Sequence, residues 1–184
     1  MKVKVGISNR HVHLCEKDFK QLFLDTPLEV DKMLNQEGEF KSNLVVSLEG
    51  KKGVIDNVRV LGPLRSYTQV EVSKTDCYTL GIDAPVRNSG DLSDASSIKI
   101  RNNDNIIERK CCIIATRHIH VTKEEKESLG LKDVCKVKTS GEKGVILDNV
   151  YVKTNKNYNF ELHLDTDDAN SCLLKNGDYV EVIK

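Results

Sequence analysis

Short stretches of alternating apolar and polar residues run along most of this chain. Residues 3–7 read Val-Lys-Val-Gly-Ile, and residues 134–138 and 179–183 alternate in the same way. Alternation with a period of two places every second side chain on one face, as in a strand with one buried face. Short apolar stretches typical of strands also occupy residues 44–48, 53–55, 58–61, 69–72, 98–100, 112–115, 144–152 and 160–164. Glycine and proline predict turns between them, for example at 49–51 and 62–65.

Four segments carry helical signals instead. Residues 16–23 place apolar side chains at helical spacing, and residues 122–125, Thr-Lys-Glu-Glu, form a capping box. Two further short helices are predicted at 75–81, with an acidic cap at Asp76, and at 166–174. Many short strands with a few short helices predict an all-β fold with short capping α-helices.

An internal repeat divides the chain into two copies. Residues 52–60 recur as residues 143–152 with one residue inserted, and Arg-His-Val-His at 10–13 recurs as Arg-His-Ile-His at 117–120. Self-similarity of this kind indicates two copies of one structural unit. The first copy is longer between its motifs, which predicts a small excursion around residues 25–43. The repeat and the strand pattern together predict two small β-barrels.

The same repeat groups all five histidines of the chain. In a strand, residues i and i+2 share a face, so each His-x-His directs two imidazoles into one space. Aligning the copies on their shared Asn-Val dipeptide places a carboxylate of the first copy opposite the fifth histidine. Such side chains suit zinc or a similar metal, and three protein ligands leave one coordination position open for chemistry. The predicted sets are His11, His13 and Glu71 (the first set) and His118, His120 and His163 (the second set).

Composition narrows the classes of function. The chain has 28 basic and 28 acidic residues, so no general attraction to nucleic acid or an anionic membrane is expected. No apolar run approaches the roughly 18 residues of a membrane span, and no signal peptide precedes the first strand. The six cysteines lack Cys-x-x-Cys spacing, which favours reduced thiols and a cytoplasmic location.

Cys15 is an alternative metal ligand. If the first His-x-His strand continued, Cys15 would share a face with His11 and His13 and could compete for the ion. We favour the interpretation that this position begins a helix.

Several motifs in order resemble the phosphate propanoyltransferases of the PduL type, which are phosphotransacylases known from bacterial microcompartments. The matching segments are residues 8–14, 57–65, 68–73, 87–92, 115–120 and 162–167. The resemblance extends over essentially the whole chain. It implies conversion of a short-chain acyl-CoA and phosphate into acyl phosphate and coenzyme A, in either direction.

The resemblance also implies an architecture and a site. One barrel would consist of residues 1–9 plus 118–184, the other of residues 10–117, with two zinc ions between them. Each zinc would be held by one of the two sets. The resemblance marks Arg65 as the catalytic cation that positions phosphate, where a planar guanidinium suits paired oxygens. We expect Arg10 and Arg117 to face away from the histidines and to form salt bridges instead.

Within that site, the substrates can be assigned to the metals by charge. We assign the coenzyme A sulfur to the first set and phosphate to the second set, because the second set has one carboxylate fewer. The reverse assignment remains open.

We also expect the protein to form a homodimer. Many members of the family carry an N-terminal extension that targets them into a microcompartment, whereas here Met1 directly precedes the first strand. A free cytoplasmic enzyme is therefore expected, with microcompartment association as the alternative.

Three other functions use similar residues. A mononuclear metal-dependent hydrolase or a cupin-like oxygenase also combines His-x-His with a carboxylate and a later histidine, but each builds one site from one set. A non-catalytic metal-binding β-barrel module is the third alternative.

Overall fold

The computed structural model of the protein describes residues 1–183, and it confirms the predicted fold class of small β-barrels with short helices. The strands are β1 Lys2–Ser8, β2 His11–Cys15, β3 Val30–Met33, β4 Phe40–Glu49, β5 Val54–Arg65, β6 Gln69–Glu71, β7 Val86–Arg87, β8 Ser96–Asn102, β9 Asn105–Ala115, β10 His118–Val121, β11 Val134–Lys138, β12 Ile146–Thr154, β13 Glu161–Asp165 and β14 Tyr179–Ile183. The helices are α1 Glu16–Phe23, α2 Lys74–Leu80, α3 Lys123–Ser128 and α4 Thr166–Ser171. Within the described residues, no helix has the length and apolar character needed to cross a membrane.

The chain divides into two compact units. The terminal unit comprises Met1–Asn9 together with the described chain from Thr116 onward, and the central unit comprises Arg10–Ala115. The terminal unit is a closed six-stranded barrel in the order β1-β13-β10-β12-β11-β14. β1 closes it by pairing in parallel with β13 and antiparallel with β14. Residues from both ends of the chain therefore complete one barrel.

The central unit closes a second six-stranded barrel. Each strand hydrogen-bonds to the next in the order β4-β5-β2-β6-β9-β8, and β8 returns to β4. The predicted excursion of the first copy contains β3, which pairs with the beginning of β4 as a hairpin outside this ring. The two-residue strand β7 lies beside β9.

The core of each barrel fixes which way the His-x-His side chains point. Val12 and Leu14 of β2 are fully buried in the central core, and Ile119 and Val121 of β10 are fully buried in the terminal core. Because successive side chains of a strand point to opposite faces, the histidines between them face away from these cores. Burial of each aliphatic side chain contributes about 1.5–3 kcal/mol, so the histidine pairs are held on a rigid support.

Three local predictions were wrong. Residues 62–65 were predicted to form a turn, but β5 continues through them to Arg65. The register between β2 and β5 shifts at this point, because Leu61 pairs with His13 whereas Arg65 pairs with Cys15. Such an irregularity lets a strand accommodate proline, which lacks an amide hydrogen for the ladder.

The second wrong prediction concerns the cap of α2. Ser73 is the N-cap, and its hydroxyl accepts from the amide of Asp76, whose carboxylate accepts from the amide of Ser73. Asp76 is therefore the third helical residue of a capping box. Helix α4 also ends earlier than predicted, at Ser171.

A buried ion pair attaches α1 to the central barrel. The carboxylate of Asp18 is 3% exposed and accepts hydrogen bonds from Arg109 of β9 at 2.6 Å and from the Thr68 hydroxyl at 2.6 Å. Burial acts to raise the pKa of Asp18, but the hydrogen bonds from Arg109 and Thr68 outweigh it, so the pKa lies below its usual value.

This pair predicts a pH-dependent stability. Since the pKa of Asp18 is depressed in the folded state, its contribution is present above the unfolded pKa of about 3.9 and is lost as the pH falls through the lower folded value. We expect Asp18→Asn to lower the free energy of unfolding by about 2 kcal/mol at pH 7, with a smaller difference below about pH 4. Urea unfolding across this pH range measures it. Asp31→Asn, on the exposed strand β3, is the control and should leave stability nearly unchanged.

Candidate metal centres

The first set lies on two neighbouring strands of the central unit. β2 and β6 run antiparallel, with His11 opposite Glu71 and His13 opposite Gln69. His11 Nε2 is 3.5 Å from Glu71 Oε2, and the two imidazole rings are 4.9 Å apart. One ligand atom from each of His11, His13 and Glu71 lies within 4.8 Å of the others. The three side chains are therefore close enough to share one ion.

The second set has the same layout in the terminal unit. β10 and β13 run antiparallel, with His118 opposite His163 and His120 opposite Glu161. The ring of His163 is 5.1 Å from that of His118 and 4.4 Å from that of His120. Ligand atoms of the three histidines again lie within 4.8 Å of one another. The structure thus brings together each trio of residues that the repeat singled out.

Burial keeps the imidazoles of His13, His118 and His120 neutral. Desolvation, followed by the charges of His11 and Arg65, holds the pKa of His13 well below its usual value. Desolvation together with Lys153 does the same for the pKa of His118. The pKa of His120 is lowered to about 3, mainly by burial. A neutral imidazole retains a lone pair, which is the form that binds a metal.

Two buried imidazole nitrogens without hydrogen-bond partners in the described chain indicate that these residues fit a metal ion. Within the described part of the chain, the buried Nδ1 atoms of His13 and His120 have no hydrogen-bond partner. Buried polar atoms of this kind are rare, and a bound ion is one of the few explanations for them. The Nδ1 of His118 lies 2.8 Å from the carbonyl oxygen of Thr116, so it carries the proton and leaves Nε2 free. This donor set fits zinc or a similar divalent ion.

Each set also has a polar neighbour that the sequence analysis missed. Gln69 Nε2 donates to Glu71 Oε1 at 2.7 Å and to Ser89 Oγ at 2.8 Å, while its Oε1 accepts from the amide of Gly90 at 2.8 Å. In the second set, Glu161 Oε2 lies 3.0 Å from His163 Nε2. The sequence could have revealed both neighbours. Each one precedes the third ligand by two residues and therefore shares its face of the strand.

An aromatic ring lies against the second set. Tyr158 stacks on the imidazole of His120 with 3.9 Å between ring centroids and 15° between the planes. Stacking at this distance fixes the orientation of the imidazole and shields one of its faces from water. The sequence contains no repeat signal for Tyr158.

Arg65 lies at the end of β5 in the central unit, near the first set. Its guanidinium donates to Glu39 Oε1 at 2.9 Å and more weakly to Ser89 Oγ at 3.5 Å. Its charge contributes to the lowered pKa of His13. Arg65 is therefore a partly exposed cation with part of its fork of N–H groups engaged by one carboxylate.

The other arginines of the motifs behave as predicted. Arg10 forms an ion pair with Asp76 at 2.7 Å, and Arg117 forms one with Asp168 at 2.7 Å. Cys15 is the N-cap of α1 without a side-chain capping bond, and it is absent from both metal clusters of the described residues. Its Sγ lies 3.5 Å from the Thr68 hydroxyl oxygen, whose proton is donated to Asp18. All six cysteines are free, as predicted.

Comparison with known proteins finds similarity along nearly the whole chain. A family model described as phosphate propanoyltransferase matches residues 4–175 of the chain. The phosphate propanoyltransferase of Limosilactobacillus reuteri is 43% identical over 173 residues, which cover 92% of this chain and 81% of that protein. That of Thermotoga maritima is 43% identical over 188 residues, covering 98% and 88%. That of Salmonella typhimurium is 39% identical over 173 residues, covering 92% and 82%.

Proposed function

The chain belongs to the phosphate propanoyltransferase family, and on this premise we propose that it interconverts a short-chain acyl-CoA plus phosphate with acyl phosphate plus coenzyme A, using two zinc ions. Membership makes the protein an acyltransferase. The observation that carries the zinc proposal is the duplicated cluster of three ligands, each with its atoms within 4.8 Å. A mononuclear enzyme needs only one such cluster.

The reaction requires three kinds of stabilisation. A phosphate oxygen attacks the thioester carbonyl carbon, the carbon–sulfur bond breaks, and the coenzyme A thiolate leaves and takes up a proton. Negative charge therefore develops on the carbonyl oxygen and then on sulfur. Zinc, when bound, would supply Lewis acidity toward phosphate, the carbonyl oxygen or the thiolate.

The residues of the chain contribute binding and orientation. We propose that His11, His13 and Glu71 hold one ion and that the three histidines of the second set hold the other. Arg65 would bind two phosphate oxygens with its guanidinium, since the fork has more donors than Glu39 occupies. The rigid barrel strands beneath both sets keep these groups in place before the substrate arrives.

The structure removes the charge difference that was used to assign phosphate to the second set. Glu161 lies beside His163, so each set has one carboxylate in its immediate surroundings. The charge of these side chains therefore no longer distinguishes the two sets. Each set also has a neighbouring cation, Arg65 acting on His13 and Lys153 acting on His118, so the cations do not distinguish the two sets either.

The direct test is an assay of the purified protein with acetyl-CoA and propanoyl-CoA. We expect release of free coenzyme A thiol that depends on phosphate and is accompanied by acyl phosphate, with two zinc per chain by elemental analysis. Thiol release without phosphate would indicate a hydrolase. Iron in place of zinc would indicate an oxygenase, and zinc without turnover would indicate a metal-binding module.

Metal removal gives an independent prediction. Dialysis against a strong chelator should abolish acyl transfer, and two equivalents of zinc should restore it, because both sets of ligands remain in the apo-protein. Far-UV circular dichroism should be nearly unchanged, since two cores of buried apolar residues hold the barrels together. Full activity in protein shown to contain no metal would contradict the proposal.

A further inference from the structure

A buried carboxylate outside the proposed ligands lies against the second set. Glu161 is 6% exposed, and its Oε2 lies 3.0 Å from Nε2 of His163. It also faces His120 directly across the strand pair. Burial of a carboxylate costs several kcal/mol unless hydrogen bonds or opposite charges compensate it. Its place beside two proposed ligands needs an explanation.

The neighbouring strand leaves space for this carboxylate. Gly6 of β1 pairs directly with His163. A Cβ atom at Gly6 would lie 3.0 Å from the carboxyl carbon of Glu161 and 3.1 Å from its Oε2. Any other L residue would therefore force the Glu161 carboxylate to move by a few tenths of an ångström. The backbone of Gly6 does not adopt a positive φ, so its conformation does not require glycine. The space needed by the Glu161 carboxylate is the feature that distinguishes glycine at this position.

The equivalent position of the first set shows chemical complementarity. There Gln69 takes the place of Glu161, and its amide nitrogen donates to the proposed ligand Glu71 at 2.7 Å. A carboxylate ligand can only accept hydrogen bonds, so its neighbour is a donor. An imidazole ligand has a ring N–H to donate, so its neighbour is an acceptor. The first copy thus pairs a donor, Gln69, with a carboxylate, whereas the second copy pairs an acceptor, Glu161, with an imidazole.

We propose that Glu161 is the positioning residue of the second set. Its carboxylate accepts the Nε2–H of His163, and this fixes the tautomer in which Nδ1 is the nitrogen free to bind the metal. A ring nitrogen that carries a proton has no lone pair for a metal, so Nε2 does not perform both tasks. Gly6 admits the carboxylate to this place. The inference rests on the proposed function only in that the second set binds a divalent ion.

The expected effect follows from the usual role of such neighbours. A carboxylate bonded to a ligating histidine fixes the ring and raises its basicity, and its loss weakens metal binding by about 10–100-fold. We expect this loss for zinc at the second set in Glu161→Ala. Glu161→Gln keeps an acceptor oxygen without the charge, so it should recover part of the affinity.

A double-mutant cycle tests the part assigned to Gly6. Zinc affinity is measured by competition with a chromogenic chelator on the full chain. Gly6→Ala alone should weaken binding at the second set by up to about 10-fold, because the carboxylate must shift away from His163. In the Glu161→Ala background the same change should have an effect of less than about 2-fold, since the carboxylate is gone. Equal effects in both backgrounds would overturn the role of Gly6.

Controls separate the role of Glu161 from a general loss of structure. Gly144→Ala, at a glycine of the same unit whose nearest neighbours are Thr139, Ser140 and Gly141, should leave zinc affinity unchanged. The thermal stability of each apo-protein is measured in parallel. A fall in zinc affinity that merely follows the fall in apo-protein stability would reject the positioning role.

The tautomer is tested by a direct spectroscopic measurement. Long-range ¹H–¹⁵N correlation spectra of the zinc-loaded protein, with ¹⁵N-labelled histidine, distinguish a protonated from a metal-bound ring nitrogen. We expect His163 to carry its proton on Nε2 and zinc on Nδ1. Zinc on Nε2 of His163 would overturn the inference even if acyl transfer is observed. Conversely, the predicted tautomer in an inactive protein would leave the inference standing and refute the proposed function.

Discussion

His163→Ala is expected to lower kcat/KM for acyl transfer by about 10³-fold or more and to leave one zinc per chain. His163 supplies one of three side chains of the second set, and a binding site reduced to two imidazoles retains zinc poorly. Loss of the ion removes several kcal/mol of transition-state stabilisation, which corresponds to this change in rate. Elemental analysis and the thiol-release assay, carried out on the same preparation, measure both effects.

The matched variant for the first set is Glu71→Ala, which should lose the other zinc and a similar factor in rate. Arg117→Gln is the control, because Arg117 is adjacent to His118 but is paired with Asp168. It should retain two zinc ions and most of the activity while losing some stability. If His163→Ala retained two zinc ions and normal turnover, the second set would not be a metal site.

Arg65→Ala is expected to reduce kcat/KM for phosphate by about 10²–10³-fold with both zinc ions retained. This is the usual loss when one donor to developing negative charge is removed from an active site. Arg65→Lys should recover only part of the rate, because an ammonium group lacks the planar pair of donors that matches two phosphate oxygens. Initial rates across a range of phosphate concentrations separate the effect on KM from that on kcat.

Two controls distinguish phosphate binding from a structural ion pair. Glu39→Gln breaks the same ion pair as Arg65→Ala but leaves the guanidinium in place. It should therefore change the rate far less than Arg65→Ala does. Arg10→Gln removes one positive charge from the same unit, where Arg10 is paired with Asp76, and should also have a small effect. If Glu39→Gln were as damaging as Arg65→Ala, the ion pair rather than phosphate binding would explain the loss.

The sequence was sufficient to group the proposed ligands because duplication preserves register. His163 is far from His118 in sequence, and only the alignment of the two copies related it to Glu71. The strand pairing then repeats in both units, with His11 opposite Glu71 and His118 opposite His163. A side-chain period of two is a local property, so it could be read directly from the sequence.

The features that were missed depend on contacts between distant segments. Gln69 and Glu161 look like ordinary polar strand residues until their hydrogen bonds to the third member of each set are seen. The extension of β5 to Arg65 depends on a register shift against β2, which turn signals at glycine and proline do not reveal. The role of Gly6 likewise depends on which side chain approaches it across the β1–β13 pair.

The closure of the terminal barrel by β1 bears on how the protein emerges from the ribosome. β1 is synthesised before the other described strands, yet its two partners β13 and β14 follow all of them. The central barrel has all its strands once residue 115 has left the exit tunnel, so it can fold while translation continues. Throughout that interval β1 exposes Val3 and Val5 without partners, and a nascent chain stalled before β13 would present this strand to chaperones or to other nascent chains.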